Sequence, residues 1–223
     1  MIEHVRPHQV FAMLGPDERD FAGQLPRGTG VDGGVTVLEG CLLVAVLKAI
    51  QPASVFEFGT YLGDTTRLLA RNLGEPGVVY TLDLDSTTGV ELEGSDATLA
   101  SRSVTAERSF ERSGAEVIQL LGDSYVFDPT PHAGRIGLVF VDGNHALKYV
   151  ERDTANALRM TAKHGPSAIV WHDYGNPEYP DVKRHLDSLS GQMPLCHIEE
   201  TFLVLGLRGL AMPEQCLSAK ESE

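Results

Sequence analysis

Three features of the sequence predict an α/β fold with a doubly wound, mostly parallel seven-stranded sheet and an antiparallel last strand. From residue 54 onward, short apolar runs alternate with stretches of helical periodicity. The runs are apolar on both faces, as strands buried between two helix layers must be. The last two runs follow each other too closely for a crossover helix, so they pair antiparallel.

The Gly-rich piece RGTGVDGG, 27–34, closes an N-terminal arm and linker, 1–34; a main domain, 35–210, and a C-terminal tail, 211–223, complete the chain. The stretch VTVLEGCLLVAVLKAI, 35–50, is too long for a typical strand and reads as a mostly buried helix. Strands are expected at SVFEF (54–58), VVYTLD (78–83), EVIQLL (116–121), IGLVFVD (136–142) and SAIVWHD (167–173). Helical spacing covers 64–73, 96–113, 145–163 and 180–190, and CHIEETFLVLGLRG, 196–209, supplies the closing antiparallel pair.

A chain of 223 residues with 42% hydrophobic content can bury one sizeable core. Its formal net charge of -13 argues against tracking nucleic-acid phosphates or an anionic membrane, which needs clustered Lys and Arg. The expected partner is a small molecule. Cys41, Cys196 and Cys216 show no paired spacing, which gives no zinc or disulfide framework and fits a reducing compartment. The N-terminus MIEHVRPHQV has no signal-peptide core, and Glu39 and Lys48 interrupt the most apolar run, so a cytoplasmic location is expected.

VFVDGNHALKYVERD, 139–153, poses a choice, because Asp-Gly after an apolar run is a strong hairpin signal. The residues after it have helical spacing, with Leu147, Val150, Ala157 and Leu158 on one side. Asp142 is therefore expected at the carboxyl end of a parallel strand, where open α/β sheets place ligands.

The first strand runs into VFEFGTYLGDTTRLLA, with Gly59 and Gly63 around the strand-to-helix turn. Tyr61 stands where the dinucleotide fingerprint has its second glycine, and Asp64 opens the helix where a pyrophosphate would sit, so a nucleotide without phosphates fits better. The stretch from Glu57 to Gly63 resembles the first motif of class I S-adenosylmethionine-dependent methyltransferases, in the E-x-G-x-x-x-G form of small-molecule O-methyltransferases. The resemblance implies the Rossmann-like methyltransferase fold, S-adenosylmethionine as cofactor, and cofactor contacts from Glu57, Gly59, Tyr61 and Gly63. Asp83, about twenty residues on, is the expected ribose acid, ahead of Asp85. LLGDSYVF resembles the loop beside the adenine and points to Asp123 and Ser124. VDGNH and VWHDY resemble a subgroup that includes macrolide-sugar O-methyltransferases and proteins labelled cephalosporin hydroxylases.

Asp142, which also borders the cofactor, and His145, His172 and Asp173 then fall at two neighbouring strand ends. In the metal-dependent enzymes resembled here, acids at these positions bind a divalent ion, which implies Asp142, Asp173 and His172 as ligands of Mg2+. His172-Asp173-Tyr174 departs from the acid-acid or Asp-Asn pair of the best-known members. Methyl transfer needs a deprotonated acceptor oxygen held about 3 Å from the methyl carbon. His145 is the first candidate for the base and His172 the second, with Asp142 acting on the acceptor or metal. Tyr149 and Asp153 follow His145 at helical spacing as supports, and Trp171 and Tyr174 could stack on an acceptor ring.

Two other functions fit the same residues: an iron-dependent oxygenase with a His/Asp facial triad, and a protein that holds the nucleotide without turnover. The acceptor is expected to meet the N-terminal arm and the loop GNPEYPDVK, 175–183, and the exposed arm makes a homodimer plausible.

Overall fold

The computed structural model describes residues 2–14, 22–25, 33–85, 92, 94–105, 110 and 114–210. In chain order the elements are β1 (Glu3–Val5), α1 (Pro7–Leu14), α2 (Val37–Ile50), β2 (Ser54–Phe58), α3 (Asp64–Leu73), β3 (Val78–Asp83), α4 (Gly94–Thr105) and β4 (Glu116–Leu121). After a single 3-10 turn come β5 (Leu138–Val141), α5 (Leu147–Met160), β6 (Ser167–Trp171), α6 (Pro180–Leu189), β7 (Cys196–Ile198) and β8 (Val204–Arg208).

The strands form one sheet in the order β1-β7-β8-β6-β5-β2-β3-β4. All pairings are parallel except those of β8, which runs antiparallel to both β6 and β7. The alternation of apolar runs thus gave the doubly wound sheet and its reversed last strand. Among the described residues the sheet has eight strands, because three residues of the N-terminal segment add β1 alongside β7. Glu3-His4-Val5 carries two polar residues in three and so leaves no apolar run in the sequence.

Helix α2 is apolar nearly all round because it is buried nearly all round, under the sheet with Leu42, Leu43, Val46 and Leu47. A capping box starts it: Glu39 N–H donates to Thr36 Oγ1, and the Glu39 carboxylate accepts from Thr36 N–H at 2.8 Å. On the other face of the sheet, α5 and α6 cover Phe58, Val139, Val141 and Ile169. Each central strand therefore reads as a continuous apolar run.

Cys196, buried in β7, is disulfide-bonded, which corrects the expectation that no cysteine is paired; Cys41 is free. No described helix is long and apolar enough to cross a membrane.

Strand β2 lies between β3 and β5. From it the chain winds outward through β3 to β4, then returns to β5 on the other side. This reversal leaves a crevice at the carboxyl ends of β2 and β5.

Candidate active site

A cleft of about 600 Å³ opens at that crevice. Its floor is made where two strands end almost in contact: a Cβ on Gly59 would lie 2.0 Å from the backbone oxygen of Asp142. Gly59 also has φ +92, so both space and backbone conformation require glycine. Asp142 N–H donates to Phe58 O at 3.0 Å, which locks the two strand ends in register. Asp142 is thus a strand-end acid followed by a helix, and the hairpin reading of Asp-Gly fails.

Of the residues expected at the cofactor, Gly59, Tyr61, Asp83, Asp123, Ser124 and Asp142 all line the cleft. Asp83 accepts from Tyr61 N–H at 2.9 Å, Leu84 N–H at 2.8 Å and the Ser103 hydroxyl at 2.5 Å. Ser124 donates to the buried Asp153 at 3.1 Å, while Asp123 accepts from Tyr125 N–H at 2.9 Å. Burial and the Asp123 charge push the Tyr149 phenol up to about 12. Burial likewise raises Asp153 to about 7, although the Ser124 hydrogen bond opposes it.

Glu57 and Gly63 do not face the cleft. Glu57 is fully buried beneath the loop and accepts from the hydroxyls of Thr66 and, at 2.6 Å, Thr81. Its other oxygen has no hydrogen-bond partner among the described residues. Burial raises its carboxyl to about 8 against the pull of the two threonines, with the charges of Asp142 and Asp83 adding to the rise. Gly63 serves as the N-cap of α3 at φ 79, a conformation that suits glycine.

The acids and histidines of the two neighbouring strand ends meet as predicted. His172 Nδ1 lies 3.1 Å from Asp142 Oδ1 and 3.0 Å from Asp173 Oδ2, and His145 Nε2 reaches the same Asp173 oxygen at 2.9 Å. Asp173 holds a left-handed φ of 62, rare for a residue other than glycine and of the kind found at functional sites. That turn directs its carboxylate back to the histidines, and Asn176 donates to its second oxygen at 2.6 Å. Burial alone would raise the Asp173 carboxyl, but the hydrogen bonds and charges of His145 and His172 hold it far below the usual range.

His145 precedes α5 rather than belonging to it. Its ring stacks on Tyr179, centroids 3.6 Å apart and planes at 10°, and its Nδ1 donates to Asp96 Oδ1 at 2.6 Å. Burial disfavours its charge, yet the two carboxylates prevail and the imidazole rises to about 9. His172 is likewise raised well above its ordinary value: Asp142, Asp173 and Glu39 outweigh its burial. Asp142 itself is raised, since burial outweighs the neighbouring imidazole charge.

Sequence reasoning missed Glu39 and Asp96. Glu39, which in the sequence only interrupts an apolar run, accepts from Phe202 N–H at 2.8 Å and lies 3.4 Å from His172 Nε2. Burial pushes its carboxyl up, but His172 and the N–H groups of Phe202 and Thr36 hold it at about 2. The T-x-x-E capping signature at residues 36–39 was legible, though it points to a helix start rather than to a site. Asp96 is set by tertiary contact alone. Trp171 and Tyr174 are not available to an acceptor: both are buried, with Trp171 Nε1 donating to Thr154 and the Tyr174 hydroxyl to Asp187. The loop after β6 does reach the cleft, through Asn176, Glu178 and Tyr179, and Gly33 and Gly34 reach it from the linker.

A family model described as a methyltransferase domain matches residues 56–174, more than half of the chain. The chain belongs to this methyltransferase family. No curated protein matches it significantly. Among solved structures it is similar to the O-methyltransferase TomG of Streptomyces achromogenes, involved in tomaymycin synthesis and in complex with SAM. The identity is 23%, with 79% of this chain and 81% of that chain covered and a TM-score of 0.53. The SAH-bound methyltransferase PaMTH1 of Podospora anserina is 16% identical, over 79% of this chain and 80% of that one, with a TM-score of 0.55. An O-methyltransferase from Bacillus cereus in complex with SAH is 15% identical, over 82% and 84%, with a TM-score of 0.50. These likenesses extend the shared fold across most of this methyltransferase.

Proposed function

We propose that this methyltransferase moves the methyl group of S-adenosylmethionine to a hydroxyl of a small molecule, with Asp142 as proton acceptor. The observation that carries the reading is the position of Asp142. Its Oδ1 is held by His172, its Oδ2 has no hydrogen-bond partner among the described residues, and it lines the same cleft as Gly59, Tyr61 and Asp83.

The cofactor's ribose meets Asp83, and its adenine lies beside Asp123 and Ser124. Glu57 and Gly63 shape the loop from below. The acceptor enters past Asn176, Glu178 and Tyr179. In the transfer, the acceptor oxygen forms its bond to the methyl carbon as the carbon–sulfur bond breaks, and the electron pair of that bond passes to sulfur. The hydroxyl proton goes to Asp142 Oδ2. A carboxylate raised by burial is a better base than an exposed one. His145 is bonded by carboxylates at both ring nitrogens and is cationic below about 9, so it orients Asp173 and the acceptor rather than taking the proton.

Asp142, His172 and Asp173 are also the residues that would hold a divalent ion. Their candidate ligand atoms lie within 4.8 Å of one another, and the two His172 separations of 3.0 and 3.1 Å suit neighbouring ligands of an octahedral ion with bonds of about 2.1 Å. Such an ion would take the place of the His172 Nδ1 proton and supply positive charge beside the acceptor oxygen. In its absence, the protonated imidazole occupies that place. The grouping holds one imidazole and two carboxylates, not the two imidazoles and one carboxylate of a facial triad, which favours methyl transfer over the oxygenase alternative.

The test is methyl transfer from labelled S-adenosylmethionine to a panel of catechols, sugars and polyketides, with and without chelator. Methylation confined to nitrogen or carboxylate acceptors would sink the hydroxyl assignment. Full activity in chelator would keep Asp142 and discard the ion.

A further inference from the structure

Methyl transfer gives no task to α4, yet this helix touches both halves of the site. At its start, Asp96 accepts from His145 twice, from the backbone N–H at 3.2 Å and from Nδ1 at 2.6 Å. Seven residues on, Ser103 donates to Asp83 at 2.5 Å. Residues at that spacing lie two turns apart on one helix face, about 10.5 Å along the axis. Between them, Leu99 and Ala100 also line the cleft, and a Cβ placed on Gly33 would lie 3.0 Å from Leu99 and 2.8 Å from the Tyr61 ring. The helix is a strut with one end on the expected ribose acid and the other on the acceptor-side histidine.

We propose that Asp96 is a positioning residue which, through α4, sets the orientation of His145 according to whether a ribose occupies Asp83. The inference rests on the reading of Asp83 as the ribose acid. A carboxylate offers about four acceptor sites, and Asp83 already accepts from Tyr61 N–H, Leu84 N–H and Ser103. Ribose hydroxyls arriving at Asp83 compete with these donors for the carboxylate. Of the three, the two backbone donors are fixed by β3 and its loop, and the Ser103 hydroxyl is the one that can yield. Because the helix is stiff over two turns, release of Ser103 is felt at Asp96. The Tyr179 stack fixes the plane of the His145 ring, whereas the bonds from Asp96 fix its angle within that plane. Cofactor occupancy is thereby transmitted to Asp173, which shares an oxygen between His145 and His172.

The experiment uses the full chain with nitrogen-15 histidine, S-adenosylhomocysteine as the ligand, and imidazole proton–nitrogen spectra, with His145 assigned by loss of its signals in His145→Gln. Calorimetry runs in parallel. In the wild type, saturation should displace the His145 ring signals. In Asp96→Asn and in Ser103→Ala that displacement should vanish, while affinity for S-adenosylhomocysteine stays within about threefold of wild type, a difference below 1 kcal/mol. A merely structural Asp96 would leave the ligand-induced displacement intact. Binding heat with unmoved His145 signals would overturn the inference, as would an equal displacement in both variants. Absence of any binding heat in the wild type would overturn the ribose reading itself, and the coupling with it.

Discussion

Replacing Gly59 by alanine should unfold the site from its floor. The new Cβ would sit 2.0 Å from the Asp142 oxygen and 2.7 Å from its carbonyl carbon. Ordinary contact requires more than 3 Å, so the ends of β2 and β5 must part by over 1 Å. Two hydrogen bonds span or flank this point, Gly59 N–H to Leu82 O at 2.9 Å and Asp142 N–H to Phe58 O at 3.0 Å. Losing both costs about 2 kcal/mol, and a side chain held at φ +92 adds about 1–2 kcal/mol. The expected destabilisation is therefore about 3–4 kcal/mol, or on the order of 10 °C in Tm for a domain of this size. Urea unfolding and thermal melts measure it, and calorimetry with S-adenosylhomocysteine should show binding lost even where the variant is folded. A variant within about 1 kcal/mol of wild type, below the mean for point mutants, would refute the close approach of the two strand ends. The glycine is thus required by the protein's own backbone before any ligand arrives.

Asp83→Ala should weaken S-adenosylmethionine binding by roughly 1.5–3 kcal/mol, the range for hydrogen bonds to charged groups, while Asp85, outside the cleft, should tolerate alanine; equilibrium binding that reverses the order would remove Asp83 from the ribose. Asp142→Asn should leave Tm within a few degrees and affinity for S-adenosylhomocysteine nearly intact, yet lower turnover by about 10²-fold or more, as expected for loss of a general base; near-wild-type rates would exclude it. Glu57→Gln gives the pH dependence. The folded-state value of about 8 lies above the ordinary 4.5, so the wild type loses stability as pH rises from about 4.5 to about 8 and the glutamine variant does not. Denaturant unfolding at about pH 5 and about pH 8.5, on either side of most of that window, should show the variant gaining on wild type at the higher pH, and a constant difference would mean that Glu57 is not protonated in the fold.

Much of this protein is set by local pattern. The runs 54–58, 78–83 and 116–121 coincide with β2, β3 and β4, and the helical spacing of 64–73 with α3, because a short apolar run bounded by turn residues and a helix with one buried side leave unlike signatures, even where, as in the edge strand β4, the run is only partly buried. Asp142 was placed at a strand end for the same reason: helical spacing after Asp-Gly excludes a hairpin. The resemblance to the methyltransferase fold also brought Asp142, His145, His172 and Asp173 to neighbouring strand ends, and β5 and β6 do pair. It left open which atom holds which. That Asp96 grips both the backbone and the ring of His145, that Glu39 faces His172 while keeping its capping box, and that Gly59 answers to the Asp142 carbonyl depend on residues 49, 133 and 83 positions apart. No periodicity records such pairings, because each is fixed by the packing of separate elements and not by the chain's local geometry. The protonation pattern is of the same kind. An aspartate beside a buried imidazole reads in sequence like any other, and only burial and the distances between charges decide that His145 is held as a cation while Asp142 is left to accept a proton.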